Sequence, residues 1–255
     1  MTATAQLEIL RAPALRPLAH GFFTRKGGAS SGIFAGLNCG GGSSDQNQAV
    51  QINRDRVAEA MDLPPEALVT VHQVHSAQVE VVKAPFDPRP RADAMVTATP
   101  GLALAILTAD CQPVLMADTQ AGVIGAVHAG WRGALDGILA NTVAAMEGLG
   151  AERARIQAVI GPTISQRHYE VGPEFFDRFI DADPAHARFF ANGSGDRMLF
   201  DLPGFGLSCL RAAGVGHAEW TGHCTYADDG RFFSYRRSVH RGEADYGRLV
   251  SVIRL

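Results

Sequence analysis

The chain has 255 residues, of which 46 % are hydrophobic and 19 % charged; this composition supports a sizeable core and excludes intrinsic disorder. Its 23 basic and 26 acidic side chains give a formal net charge of −3, so there is no basic field to hold a phosphate backbone and nucleic acid is not an expected partner. The longest apolar runs, such as residues 102–107, fall far short of the roughly 20 residues that cross a bilayer, so no membrane span is expected.

The N-terminus, Met1-Thr-Ala-Thr-Ala-Gln-Leu-Glu8, has neither a positive nor an apolar stretch of the kind that makes a signal peptide. Cys39, Cys111, Cys209 and Cys224 form no Cys-x-x-Cys pair and are too sparse for a disulfide framework, so a cytoplasmic location is expected. Residues 20–45 read as a loop-rich opening with seven glycines between Gly27 and Gly42, a density that suits unusual backbone angles or close approach. Asp45 is expected to cap a helix that buries Val50, Val57, Ala60 and Met61 and ends at Leu63-Pro-Pro. Apolar and β-branched runs at 68–71, 79–82, 94–97, 102–107, 114–117 and 122–127 read as strands. His128-Ala-Gly-Trp-Arg-Gly is then a strand-to-helix turn, and the helix after it is expected to reach Leu149 and stop at Gly150. A strand at 156–160, helices at 173–180 and 203–213, and strands at 219–225 and 249–253 complete the chain. Strands and helices interleave without a linker, which predicts one α/β domain over residues 1–255, with a mixed β-sheet flanked by helices. No apolar stripe is left once the core is counted, so a monomer is expected.

Reactive side chains stand where predicted strands give way to loops, the positions at which a rigid scaffold presents chemistry. They are His72-Gln-Val-His75, Asp110-Cys111 in a tight turn between two strands, and His128 at a strand end. One thiolate and two imidazoles make a three-ligand zinc set with a fourth position free for water or substrate. His72 and His75 are three apart and would face opposite sides of an extended strand. His75, nearer the loop, is the expected ligand beside Cys111 and His128, and His72 either supports that shell or lines the pocket. The same residues allow a metal-free class, with Cys111 as nucleophile, His128 as base, and Asp110 or Gln73 orienting or stabilising. Thr24-Arg25-Lys26-Gly-Gly is either an anion cradle or a charged hairpin turn, and it lacks the spacing of a P-loop. Trp131 and Phe34 either stack on a base or belong to the core, and Tyr235-Arg236-Arg237 reads as a salt-bridged surface.

Together these segments resemble the YfiH/DUF152 family, also known as laccase-domain, polyphenol oxidase or peptidoglycan-editing factor proteins. The stretches that carry the resemblance are Gly21-Phe-Phe-Thr-Arg-Lys-Gly-Gly-Ala-Ser, Leu37-Asn-Cys-Gly, His72-Gln-Val-His75, Thr108-Ala-Asp-Cys-Gln-Pro, His128-Ala-Gly-Trp-Arg-Gly, Ile160-Gly-Pro-Thr-Ile and Phe233-Ser-Tyr-Arg-Arg, spanning about 20–240. The resemblance implies an α/β fold related to the cysteine-hydrolase fold of the cytotoxic necrotizing factor toxins, and zinc held by His75, Cys111 and His128. It also implies purine nucleoside chemistry: phosphorolysis of adenosine, inosine and methylthioadenosine, and deamination of adenosine. Arg25, with Lys26, is the candidate for phosphate, and Asn38, His72 and Gln73 complete the substrate-binding candidates. Asp110 joins Cys111 and His128 in the catalytic set, either as general acid/base or as a structural partner. Cys39 stands where the Leu-Asn-x-Gly motif often has an aliphatic residue, and it is read as structural. Two alternatives accompany this reading. One is a cysteine amidase or peptidoglycan-precursor hydrolase using Cys111 and His128. The other is copper-dependent phenol oxidation, against which stand only nine histidines and no His-x-His pair.

Overall fold

The computed structural model describes residues 6–255; the leader-free reading of the N-terminus falls largely on residues 1–5, outside the described residues. Its elements in chain order are β1 (Ile9–Leu10), β2 (His20–Phe23), α1 (Asn47–Ala60), β3 (Leu68–Val69), β4 (Val79–Val81), β5 (Ala94–Thr97), β6 (Ala103–Thr108), β7 (Gln112–Asp118) and β8 (Val123–Ala129). They continue with α2 (Trp131–Leu135), α3 (Ile138–Gly148), β9 (Gln157–Ile160), β10 (Glu170–Val171), α4 (Pro173–Ala182), β11 (Phe190–Asn192), β12 (Met198–Phe200), α5 (Leu202–Ala212), β13 (His217–Trp220), α6 (Tyr235–His240) and β14 (Leu249–Arg254).

The architecture is α/β with mixed sheets and helices, and the β-structure divides where one sheet was expected. A six-stranded sheet runs β13-β9-β7-β8-β5-β4, a five-stranded sheet runs β1-β2-β14-β6-β3, and a small sheet runs β10-β12-β11. Side chains alternate across a strand, and both faces of the two larger sheets are covered. From β7, Val114 and Met116 enter a core shared with Ile138, Val143 and Met146 of α3 and Phe205 and Leu210 of α5. Leu115 and Ala117 of the same strand enter a second core with Phe22, Leu104, Ile106 and Ile253 of the five-stranded sheet. That sheet's opposite face, through Ala103, Ala105, Val250 and Val252, packs on Val57 and Met61 at the end of α1. The layers are therefore helix, sheet, sheet, helix. Strands buried on both sides explain why 114–117 and 122–127 read as apolar runs rather than alternating ones.

Several local expectations are corrected. Asp45 is not the helix cap: its Oδ1 accepts from the Gln46 N–H at 2.8 Å and its Oδ2 from Asn38 Nδ2 at 2.9 Å, and the helix begins after Gln46 with no side-chain cap. The single helix expected after residue 130 is two, broken at Gly137, whose φ of +93° leaves the helical region. The strand expected at 219–225 is His217–Trp220, because it pairs in parallel with the four residues of β9 and the chain leaves the sheet where β9 ends. The loop-rich opening contains the wholly buried β2, which joins the five-stranded sheet beside β14.

Gly161 closes β9 against the second sheet: a Cβ there would lie 2.1 Å from Cδ1 of the buried Phe22 ring. Gly161→Ala should therefore cost about 1–3 kcal/mol through overpacking. A lowered urea midpoint with an unchanged m-value is the expected outcome, and an unchanged midpoint would show that the ring has room to move.

Candidate functional site

The β7–β8 hairpin brings two of the candidate residues together. Its register sets Gln112 opposite Ala129 and Pro113 opposite His128, so Cys111, one residue before β7, lies at the same end of the sheet as His128. Asp93, one residue before β5, joins them because Ala94 pairs with Val127 and the His128 N–H donates to the Asp93 carbonyl at 2.7 Å. His75 arrives from the irregular segment between β3 and β4. Its φ is +60°, so the extended-strand alternation argument does not apply to it. The turn is held by the Asp93 carboxylate, which accepts from the N–H groups of Val74, His75 and Ser76 at 3.2, 3.0 and 2.6 Å and from Ser76 Oγ at 2.8 Å. As a result the ligand atoms of His75, Cys111 and His128 all lie within 4.8 Å of one another. Cys111 Sγ is 3.9 Å from His75 Nε2, and the two imidazoles meet edge-on with centroids 4.7 Å apart.

His128 is buried, and its Nδ1 lies 2.8 Å from Asp93 Oδ1. A carboxylate only accepts, so Nδ1 carries the proton and Nε2 is left for the site. Burial raises the Asp93 carboxyl, but the bonds from His128 and Ser76 outweigh it and hold the group well below the usual carboxylate range. Burial likewise penalises the Cys111 thiolate and the His128 cation, yet their attraction for each other prevails. The thiol is lowered to about 6, helped by His75, and the imidazole is raised to about 9, helped by Asp93. A ready thiolate and two imidazoles, one of them oriented by a carboxylate, fit the donor chemistry of zinc.

Two cavities meet here: His75 and Cys111 line both, and His128 lines one of them. One, of about 390 Å³, is lined by Gly40, His72, Arg89, Cys111, His128 and Arg248 among others, and is rich in backbone and guanidinium groups. The other, of about 620 Å³, is shared by His75 and Cys111 with Trp131, Tyr169, Phe175 and Tyr235. The Trp131 and Phe175 rings in its wall lie 4.8 Å apart, and Phe175 is backed by the buried Phe179 ring at 5.0 Å.

A protein-family model described as multi-copper polyphenol oxidoreductase laccase matches residues 19–255. The chain belongs to this family. Within it, a purine nucleoside phosphorylase of Deinococcus radiodurans is 42 % identical over 262 residues, covering 100 % of this chain and 95 % of that protein. The crystal structure of the DUF152 protein NMB0706 from Neisseria meningitidis is 35 % identical, with a TM-score of 0.88 and 98 % of each chain covered. That of YfiH from Bacillus licheniformis is 30 % identical, with a TM-score of 0.89 over 100 % of this chain and 97 % of that one. The resemblance drawn from the motifs and the α/β fold class are both shown by these matches.

The remaining candidates are distributed differently from expectation. His72 is exposed and lines the smaller cavity. Gln73 lines it too, but its amide is spent on the Leu107 backbone, donating to the carbonyl at 2.7 Å and accepting from the N–H at 2.9 Å. Arg25 and Lys26 line neither cavity at the triad. Arg25 donates to the carbonyls of Ala35 and Asp229 and lies over the Phe233 ring, and Lys26 pairs with Glu8 at 3.2 Å. Asn38 is wholly buried and organises the glycine turn instead of facing a cavity. Asp110 borders the larger cavity, but its carboxylate accepts from the Thr225 hydroxyl, the Ser234 hydroxyl and the Arg236 N–H. Burial raises its pKa against those bonds, and the carboxylate ties the 110–111 turn to the start of α6. Arg237 is buried and donates to the carbonyls of Thr225, Tyr226 and Phe232, so 235–237 is not a salt-bridged surface. Cys39 is core, its thiol pushed up to about 12 by burial, and Phe34 is buried while Trp131 lines the aromatic cavity.

Asp93 escaped the sequence reading. The rule that ligating histidines pair with carboxylates says to look for such a residue, but nothing in the spacing singles it out. Asp93→Asn keeps the shape and removes one acceptor oxygen from a group with five donors around it. Metal affinity at this group should fall roughly 10–100-fold, measured by competition with a chelator. Gly130→Ala is a milder test: the backbone there has φ −65°, which alanine adopts, but its Cβ would lie 3.0 Å from His75 Cδ2 and 3.1 Å from Cys111 Sγ. It should weaken metal binding while leaving the urea midpoint near the parent value.

Proposed function

We propose that the protein is a zinc-dependent purine nucleoside enzyme. It would catalyse phosphorolysis of adenosine, inosine and methylthioadenosine and deamination of adenosine. The observation that carries this reading is that His75 and Cys111, grouped with His128, line both a cavity holding Arg89 and Arg248 and an aromatic one. The name of the Deinococcus relative supports it. Phosphorolysis joins a phosphate oxygen to C1′ of the ribose as the C1′–N9 bond breaks, and the purine leaves with a proton. That exchange needs an anion on one side of the sugar and a flat base on the other. Trp131, Tyr169 and Tyr235 offer ring faces and edges to a base. Zinc, when bound by the triad, supplies a Lewis acid and a water acidified at its fourth position. His128 and Asp93 hold one imidazole in a single tautomer, and Cys111 contributes a thiolate that needs no further base.

One observation favours a second reading. Cys111, His128 and Asp93 follow one another as nucleophile, base and orienting carboxylate, the order required for a metal-free cysteine amidase acting on peptidoglycan precursors. Phenol oxidation by several coppers would need several ligand clusters, and among the described residues His75, Cys111 and His128 are the one group of three.

Incubating the purified protein with adenosine and phosphate, and resolving the products by chromatography, should yield adenine, ribose 1-phosphate and inosine. Activity should fall with chelation and return with one zinc per chain. Activity that survives chelation but not alkylation of Cys111 would transfer the assignment to the amidase class. His128→Ala, once circular dichroism shows it folded, should suppress phosphorolysis and deamination together; a folded, metal-free variant that kept either reaction at the parent rate would separate that reaction from the zinc site. Trp131→Ala should raise the KM for nucleoside and leave the KM for phosphate near the parent value.

A further inference from the structure

The smaller cavity holds guanidinium groups that form no salt bridge with a carboxylate among the described residues. Arg248 lines it, and its Nη1 is buried without a hydrogen-bond partner among the described residues. A buried charged donor left unpaired is costly, so an arginine in this state is poised for an anion. Its place is built in detail. The Arg248 N–H and the Gly40 N–H both donate to Asn38 Oδ1, at 2.9 and 3.0 Å, and the Cys39 N–H donates to the Arg248 carbonyl at 3.1 Å. The buried Asn38 thus ties the residue before β14 to the glycine turn. The guanidinium lies over the Tyr246 ring, 4.5 Å from its centroid. A Cβ on Gly40 would sit 2.8 Å from Arg248 Cδ and 3.1 Å from Nη1, so the side chain crosses the turn because glycine leaves the backbone bare.

Two further guanidiniums stand nearby. Arg89 lines the same cavity, and Arg54 and Arg89 both reach Thr70 Oγ1, at 3.3 and 3.5 Å. Burial lowers the Arg54 pKa, and the Arg89 charge adds to that effect. Among the described residues no carboxylate pairs with Arg54, Arg89 or Arg248. The Asp245 carboxylate is turned to Ser44, accepting from its N–H and hydroxyl at 2.7 and 3.0 Å. His72 adds an imidazole to the cavity wall.

We propose that Arg248 and Arg89, with the backbone of Gly41 and Gly42, form the anion subsite of this cavity, and that its occupant is inorganic phosphate. The proposal rests on the phosphorolysis reading of the same site. It moves the phosphate role from Arg25 and Lys26, whose groups are engaged elsewhere, to residues that share a cavity with Cys111 and His128. Guanidinium forks and exposed glycine N–H groups match the donors that a tetrahedral oxyanion needs. The aromatic cavity offers a base-sized apolar wall, and its two arginines have partners of their own: Arg236 donates to the Glu170 carbonyl and lies over the Tyr169 ring, and Arg197 stands 3.8 Å from the Asp196 carboxylate. Asn38 is then a positioning residue, acting on phosphate through Arg248.

The test is calorimetric titration of the zinc-loaded protein with inorganic phosphate alone, and separately with adenosine 5′-monophosphate, for the parent and for Arg248→Gln, Arg89→Gln and Lys26→Gln. Arg248→Gln should weaken phosphate binding roughly tenfold or more, the loss of a charge-assisted pair of hydrogen bonds. Arg89→Gln, on an exposed loop, should weaken it by a smaller factor, and Lys26→Gln should leave it unchanged. Inosine affinity should stay near the parent value in all three. Parent protein that takes up no phosphate, or phosphate affinity unchanged in both arginine variants, overturns the subsite. So does arginine-dependent binding of the nucleotide without binding of free phosphate. If Arg248→Gln does not fold, Arg89→Gln decides. Arginine-dependent phosphate binding in a protein that performs no phosphorolysis upholds the subsite and removes the reading on which it was built.

Discussion

The site depends on one buried carboxylate. Asp93 is fully enclosed and accepts from three successive backbone N–H groups, from Ser76 Oγ and from the His128 ring. It holds the turn that carries His75 and sets the ring that faces Cys111. A buried carboxylate is tolerated only when its lone pairs are satisfied, so the 74–76 turn, the β5 strand and His128 are placed as a set. The conformation of His75, at positive φ, has its local support in this carboxylate.

The second requirement is the packing of two sheets back to back. β5, β7 and β8 are adjacent in the six-stranded sheet, and their apolar side chains fill cores on both faces. That leaves their polar neighbours, Asp93, Cys111 and His128, at the sheet edge where the strands end. The chain beyond residue 165 then builds the aromatic wall. α4 places Phe175 in that wall and packs it, with Phe179, on Phe190 and Phe200 of the small sheet behind, and Trp131 joins Phe175 from α2. The chain before residue 45 and just before β14 builds the opposite wall from glycine and arginine. One centre therefore meets two kinds of surface, one of glycine and arginine and one of aromatic rings.

Much of this was readable from local pattern. The strands at 94–97, 102–107, 114–117 and 122–127 announce themselves through short runs of apolar and β-branched residues. The hairpin between the last two brings Cys111 and His128 to a common end, because antiparallel pairing folds the chain back on itself. The α1 and α5 helices follow from their apolar spacing, and Asp201 caps the latter by accepting from the Gly204 N–H. The break at Gly137, the buried strand β2 and the small β10-β12-β11 sheet were not readable. Two-residue strands and single-residue breaks carry too little periodicity to register, and they are decided by what packs on them.

By itself the sequence determined the α/β class, the family, and the three side chains that could share a metal, since these rest on residue type and on short-range order. Only the tertiary structure decided which other groups serve them. Asp93 lies 35 residues from His128 in the chain, and Arg248 lies 210 residues from Asn38. Such pairings arise from the stacking of two sheets and leave no spacing to read. The same stacking drew Arg25, Asn38, Gln73 and Asp110 into backbone hydrogen bonds and clamps. A polar side chain in a folded protein goes to the partners its surroundings provide, and that choice is made by packing over the whole chain.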